Sequence, residues 1–374
     1  MRESGNQEIR EARRLSDIGE FGLIDRIARR LPAPGEGVVV GIGDDTAALR
    51  LSGDRLLLAT CDIQLEGHHF LRDKIAPQQL GRKALAINLS DIASMGGRPR
   101  YALVSLGLPK GLAVSWVDAL YDGLQEEAAR FGTSIVGGNI TGSPLILVDV
   151  TLLGEVEEAR LLRRSGARVG DRLLVTGMLG ASGAGLAWLV AGGGGAEEQG
   201  GRGAEEKRGG GASHLGTPAP PHLCTEVDEV LAAHLTPTPR VAEGRAIGAT
   251  HAATAMIDLS DGLASDVGHI CELSNVGVRV EAARLPISSA TRAVAEALGR
   301  DPVAFALFGG EDYELLLTAP AERVGELVAA VGQTGTPLTD IGAIVPAAAG
   351  RTLLLTNGRT IPLEPGGWDH FRRA

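Results

Sequence analysis

Apolar residues recur at helical spacing over residues 77–95, where Leu80, Ala84, Ile87 and Met95 predict one buried stripe. Asp91 falls on that stripe, and Asn88 points the same way one turn earlier. Upstream, the apolar runs 38–42 and 56–59 flank Ser52-Gly53-Asp54, which predicts a hairpin carrying carboxylates at its strand ends. Before it, Phe21, Leu23, Ile24, Ile27 and Leu31 predict a short amphipathic helix ended by Pro32 and Pro34.

Further on the pattern predicts a strand over 101–108 and a helix through Val117, Leu120, Tyr121, Leu124, Ala128 and Phe131. Strands over 133–136 and 145–153 follow, with a glycine-rich segment, 137–141, between them. Alternating strands and helices predict an α/β (α+β) domain over residues 1–157. A second domain, 158–374, opens with a strand over 172–176 that turns through glycines at 177–185 into a helix. A strand over 253–257 enters Asp258-Leu259-Ser260-Asp261-Gly262. Ser260 reads as N-cap and Asp261 as a first-turn acid of the next helix, which leaves Asp258 unexplained. Gly309-Gly310-Glu311-Asp312-Tyr313-Glu314 then enters a strand over 315–318, either as a polar-substrate contact or as a charged strand entry. Residues 192–221 are Gly, Ala, Glu, Gln, Arg and Pro with almost nothing to bury, the composition of a solvated or disordered insertion.

Composition narrows the function. With 374 residues, 44% of them hydrophobic, the chain can build two cores. A formal net charge of -10 and no basic run argue against nucleic acid or an anionic membrane as partner, and 3% aromatics leave little for base stacking. Three cysteines without metal spacing fit a reducing, cytoplasmic setting, and no apolar run suits a signal or a membrane span.

Oxygen-bearing side chains concentrate over residues 41–97, in Gly-Ile-Gly-Asp-Asp at 41–45, Cys-Asp-Ile-Gln-Leu-Glu-Gly-His-His-Phe at 61–70 and Asn-Leu-Ser-Asp at 88–91. Taken singly, Asp44, Asp45 and Asp62 read as turn residues and Asp91 as the partner of Arg82 or Arg98. Taken together, with one acid on an apolar stripe, they call for a positive charge at the site. Hard oxygen donors without paired cysteines suit magnesium completed by substrate phosphates. The 137–141 segment is open between a phosphate or metal loop and a plain turn, whereas 177–185 lacks phosphate-loop spacing and reads as a tight strand-to-helix turn.

In order, GIGDD, EGHHF, KALAINLSDIASMG, RSGARVGD, IDLSDGL and GGEDYEL resemble the thiamine-monophosphate kinase family, within the aminoimidazole-ribonucleotide synthetase-like superfamily. The resemblance runs from Gly19 to Phe371 outside 192–221. It implies a two-domain fold whose N-terminal sheet forms a barrel with that of a second copy, and phosphoryl transfer from ATP to thiamine monophosphate with several magnesium ions. Carried over, Asp45, Asp62, Asp91, Asn139, Asp258 and Asp261 fall at metal positions, with Thr60 and Cys61 as minor or main-chain contacts. Asp45, Asp91 and Asp261 are the implied catalytic residues. Tyr121, Gly138, Asn139, Arg164 and Ser260 fall at nucleotide positions, and His69, Glu311 and Trp368 at the thiamine-phosphate pocket. One departure stands out: Asn139 replaces the family's usual acid, which keeps a carbonyl oxygen but removes a charge. A non-catalytic nucleotide-binding protein and a sibling synthetase are the rival readings.

Overall fold

The computed structural model describes residues 15–32, 35–192, 223–364 and 366, with side chains from residue 19 onward. Trp368 and the expected insertion, Gly192 apart, lie outside them.

The first half contains α1 (Leu15–Ala28), β1 (Val38–Val40), β2 (Ala47–Arg50), β3 (Arg55–Leu65), α2 (Pro77–Ser94), β4 (Arg98–Leu108), α3 (Val114–Phe131), β5 (Ser134–Gly142) and β6 (Leu147–Glu157). Its six-stranded sheet has the order β1-β2-β3-β6-β4-β5. Because side chains alternate along a strand, Leu56, Leu58, Ala102, Val104, Val148, Val150 and Leu152 all enter the core that α2 and α3 cover. The opposite face leaves Ile63, Tyr101, Leu103 and Val136 exposed. Helices α2 and α3 lie close because a Cβ on Gly81 would stand 2.0 Å from the Leu120 carbonyl oxygen, and one on Gly123 would stand 1.9 Å from that of Gln78.

Three expectations need correction here. The turn at 52–54 joins β2 to β3, and β1 pairs with β2, so the hairpin has a strand the pattern concealed. Asp62 therefore sits inside β3 and Asp45 in the β1–β2 connection. Residues 137–141 are not a loop; they belong to β5, the edge strand parallel to β4. The stripe of α1 is largely uncovered, with Phe21, Ile27 and Leu31 exposed.

The second half contains β7 (Arg172–Thr176), α4 (Ala181–Val190), α5 (Cys224–Leu235), α6 (Val241–Thr250), β8 (Ala255–Asp258), α7 (Leu263–Ser274), β9 (Val276–Glu281), α8 (Ser289–Ala297), α9 (Pro302–Phe308), β10 (Leu315–Ala319), α10 (Val324–Gly332), β11 (Leu338–Pro346), β12 (Arg351–Leu354) and β13 (Thr360–Pro362). Its seven-stranded sheet has the order β13-β12-β9-β11-β7-β10-β8. Leu174, Met256, Leu315 and Leu317 face the core shared with α2, α6 and α10. Leu173, Val175, Ile257 and Leu316 face a second core with α7. The first core is thus continuous between the two sheets, with α2 packed on α6 and β8.

The entry to α7 also differs from expectation. Its N-cap is Gly262, with φ 109, rather than Ser260. The Asp261 and Gly262 amides donate to Asp266 Oδ2 at 3.2 and 3.1 Å, so the acid tying the turn is one that the sequence did not single out.

Candidate active site

Where the end of β8 meets α2, carboxylates from distant parts of the chain converge. Ligand oxygens of Asp45, Asp91 and Asp258 lie within 4.8 Å of one another. Hydroxyls orient two of them: Thr60 Oγ1 donates to Asp91 Oδ2 at 2.5 Å, and Ser90 Oγ donates to Asp258 Oδ2 at 2.6 Å. Arg164, on the link between the halves, closes on Asp45 through Nε at 2.8 Å and through a second, shorter contact from its terminal nitrogen. Its amide faces the Asp44 carboxylate. Asp91 accordingly pairs with neither arginine considered for it, and Arg82 pairs with Glu126 and Glu127.

Burial, and then the charge of Asp45, pushes Asp258 up to about 8. Burial, and then Asp62, Asp258 and Asp45, pushes Asp91 well above the carboxylate range. Burial and Asp45 raise Asp44 to about 6. Burial together with mutual repulsion means that one arginine does not neutralise the cluster. Asp45 Oδ2 is also buried without a hydrogen-bond partner. An orphaned carboxylate oxygen in an all-oxygen donor set fits a hard divalent cation such as magnesium.

The Gly-Gly-Glu-Asp-Tyr-Glu stretch divides its acids among three tasks. Glu314 is buried and pairs with Arg240 at 2.5 Å, which joins β10 to α6. Asp312 accepts from the Gly180 amide at 2.7 Å and the Ser182 amide at 3.3 Å. It thereby occupies the N-terminus of α4, which makes 177–185 the tight turn expected there. Glu311 is partly open, and it lies in a strained segment. Glu311 and Tyr313 have φ of 54 and 50, a conformation costing about 1–3 kcal/mol each for such residues. Backbone bonds from Glu311 N to Ser260 O at 2.7 Å and from Tyr313 N to Leu259 O at 2.9 Å strap this segment to the loop after β8. Lys83 Nζ holds Glu311 Oε1 at 2.8 Å, and His234 Nδ1 lies 3.2 Å from Oε2.

The remaining expected residues are distributed around this centre. Asp62, on the inner face of β3, acts on both Asp91 and Asp258 through its charge. Asp261 groups instead with Asp266 and His269, their ligand atoms again within 4.8 Å. His69 follows β3, accepts from Leu65 N at 3.0 Å, and adds to the charges acting on Glu311. Cys61 is exposed on the outer face of β3, its thiol pushed up by burial and then by Asp149. Tyr121 packs against the first core. Gly138 lies in β5, where a Cβ would meet the Val104 carbonyl oxygen at 1.8 Å. Asn139 aligns with Ser105, and Ser105 with Asp149, on the outer face of the sheet, so a single chain does not bring it to the Asp91 side. Lys83, His234 and Asp266 went unnoticed in the sequence; each is buried through partners that the local pattern does not reveal.

Two matches define the class of protein to which this fold and site belong: residues 43–156 match the N-terminal domain of AIR synthase related protein, and 168–353 match its C-terminal domain. Within that class the chain belongs to the thiamine-monophosphate kinase family. It is 37% identical to the thiamine-monophosphate kinase of Aquifex aeolicus, covering 96% of this chain and all of that one. To the enzyme of Escherichia coli K12 it is 36% identical, covering 94% and 98%. Among solved structures, AaThiL complexed with AMPPCP and TMP superposes with a TM-score of 0.77 at 35% identity, over 96% of this chain and 99% of that one. The Stenotrophomonas maltophilia thiamine-monophosphate kinase gives 0.69 at 36%, over 90% and 96%.

Proposed function

We propose that the chain transfers the terminal phosphoryl group of ATP directly to the phosphate of thiamine monophosphate, giving thiamine diphosphate and ADP without a phosphoenzyme. The observation that carries this reading is the buried convergence of Asp45, Asp91 and Asp258 beside Arg164. Phosphoryl transfer depends on positioning and charge neutralisation more than on covalent catalysis. Magnesium held by Asp45, Asp91 and Asp258, with Asp62 and Asp261 alongside, would neutralise the phosphate oxygens. Arg164 would meet phosphate beside the metal, and Ser260 would present its loop to the nucleotide. Glu311, with His69 beside it, receives the acceptor at the opposite end of the same loop pair.

We assign ATP and magnesium binding and dimerisation to residues 1–157 and the remaining lining of the site to 158–374. A homodimer is supported by the exposed apolar face of the first sheet, with Ile63, Tyr101, Leu103 and Val136. No helix among the described residues is long and apolar enough to cross a membrane. The test is coupled ADP release: thiamine monophosphate should stimulate it and magnesium should be required. Turnover with aminoimidazole precursors but not with thiamine monophosphate would overturn the reading, and no turnover at all would favour a non-catalytic nucleotide binder.

A further inference from the structure

Lys83 is a cation that this site hides almost completely. It is 1% exposed, sits on α2 among Leu80, Ala84 and Ile87, and meets a carboxylate supplied by the other half of the chain. A lysine is buried in such company only with an opposite charge at hand. The partner, Glu311, is not hidden to the same degree: its side chain is 27% exposed. His234, on α5, is again buried, and Ser182 Oγ lies 3.1 Å from its Nδ1. Burial, and then Lys83, pushes His234 down to about 4. The arrangement is therefore asymmetric, with two concealed side chains set against the two oxygens of one presented carboxylate.

A purely structural ion pair would conceal both members. A carboxylate that is fixed at both oxygens, set in strained backbone and left partly open is instead arranged to meet something from outside. Burial opposes its charge, yet Lys83, His234 and His69 hold Glu311 below its ordinary range; Asp312 and Tyr313 are its other ionisable neighbours. Thiamine monophosphate brings a cationic thiazolium ring, which a preorganised anion recognises without paying again to order the side chain.

We infer that Lys83 and His234 are positioning residues which, through Glu311, set the preference of the site for an acceptor with a cationic ring. The inference rests on Glu311 being the acceptor contact proposed above.

The probe is the isosteric thiophene analogue of thiamine monophosphate, in which ring carbon replaces the charged nitrogen. Wild-type protein should show a KM for this analogue roughly tenfold above that for thiamine monophosphate, the scale of one well-placed charged contact. Lys83→Met should raise the KM for thiamine monophosphate about tenfold, leave that for the analogue and for ATP within about twofold, and so erase the preference. Lys83→Arg should retain most of it. Adding Lys83→Met to Glu311→Gln should change nothing further, because the two residues act as one unit. A Lys83→Met protein that keeps the wild-type ratio, binds thiamine monophosphate more tightly, or loses ATP and acceptor alike overturns the inference. If Lys83→Met does not fold, His234→Gln carries the same test, with a loss of preference expected and an unchanged ratio overturning it. Should Glu311→Gln itself leave the ratio intact, the acceptor assignment of Glu311 fails, an outcome separate from failure of Lys83→Met alone.

Discussion

In β6 every second residue is buried, whereas in β8 and β10 all of them are. The first sheet has helices on one side only and presents apolar side chains on the other; the second sheet is packed on both. Among the described residues, the second sheet is thus covered on both faces, whereas the first leaves one apolar face exposed. The site lies between them because α2 serves both sheets, covering the first and leaning on the end of β8 in the second.

The strongest way to sharpen this contrast is to place the same charge in each sheet. Leu316→Asp puts an unpaired carboxylate into a fully buried position and should cost more than about 4 kcal/mol, enough to remove a cooperative thermal transition. Leu103→Asp, on the open face, should leave the melting temperature nearly unchanged and yield monomer in sedimentation. A Leu103→Asp protein that remains dimeric breaks the comparison.

At the junction itself, Asp91→Asn should lower kcat by about a hundredfold or more, the scale of losing one preorganised charge stabiliser. Its circular dichroism should match wild type, and without metal it should melt no lower, because a repelling buried charge has gone. Melting at a much lower temperature with and without magnesium would make Asp91 a structural residue.

Proton linkage gives a third check. Asp258 is raised to about 8 and Asp44 to about 6, both above their unfolded values, so the stability they contribute is fully present below about pH 4 and is lost as pH rises through those values. Metal-free protein should melt at progressively lower temperature from pH 5 to pH 8. Added magnesium should raise the melting temperature more at pH 8 than at pH 5, and an equal effect at both would remove the cluster as its site.

The smallest expected effect concerns the open face. Asn139→Asp should lower the magnesium midpoint of activity a fewfold, since opposite charges within a few Å are worth on the order of 1 kcal/mol in a partly desolvated site. Because Asn139 lies on the outer face, that shift should be absent from a monomeric Leu103→Asp background measured by magnesium binding. A shift persisting in the monomer would place residue 139 in its own chain's site.

What the sequence revealed followed from periodicity and local chemistry. The span of α2 and the anomaly of Asp91 were legible because an acid interrupts a helical stripe, and Asp258 because no turn role accounted for it. The strand β2 was concealed because Ala47–Arg50 is too short to display alternation. Residues 137–141 looked like a loop because they open with two glycines, yet close contact with β4 requires a glycine at 138 within a strand. Lys83 and His234 were not singled out in the sequence. Both acquire their meaning only from Glu311, far away along the chain, and no local pattern records such a pairing. Ser260 and Asp266 exchanged expected parts for a similar reason, since the bend at Gly262 decided which carboxylate would reach the free amides.

Lys83 and Ser90 stand seven positions apart on α2, grasping Glu311 and Asp258 respectively. Seven residues are about two helical turns, so both side chains leave the same side of the rod about 10 Å apart. The helix therefore works as a ruler: in the proposed reaction the spacing between the acceptor end and the metal end of the site is set by backbone pitch, which side-chain changes do not alter. A single residue inserted or deleted between them would swing one grip by about 100° around the axis. Among homologues, this stretch should not change in length.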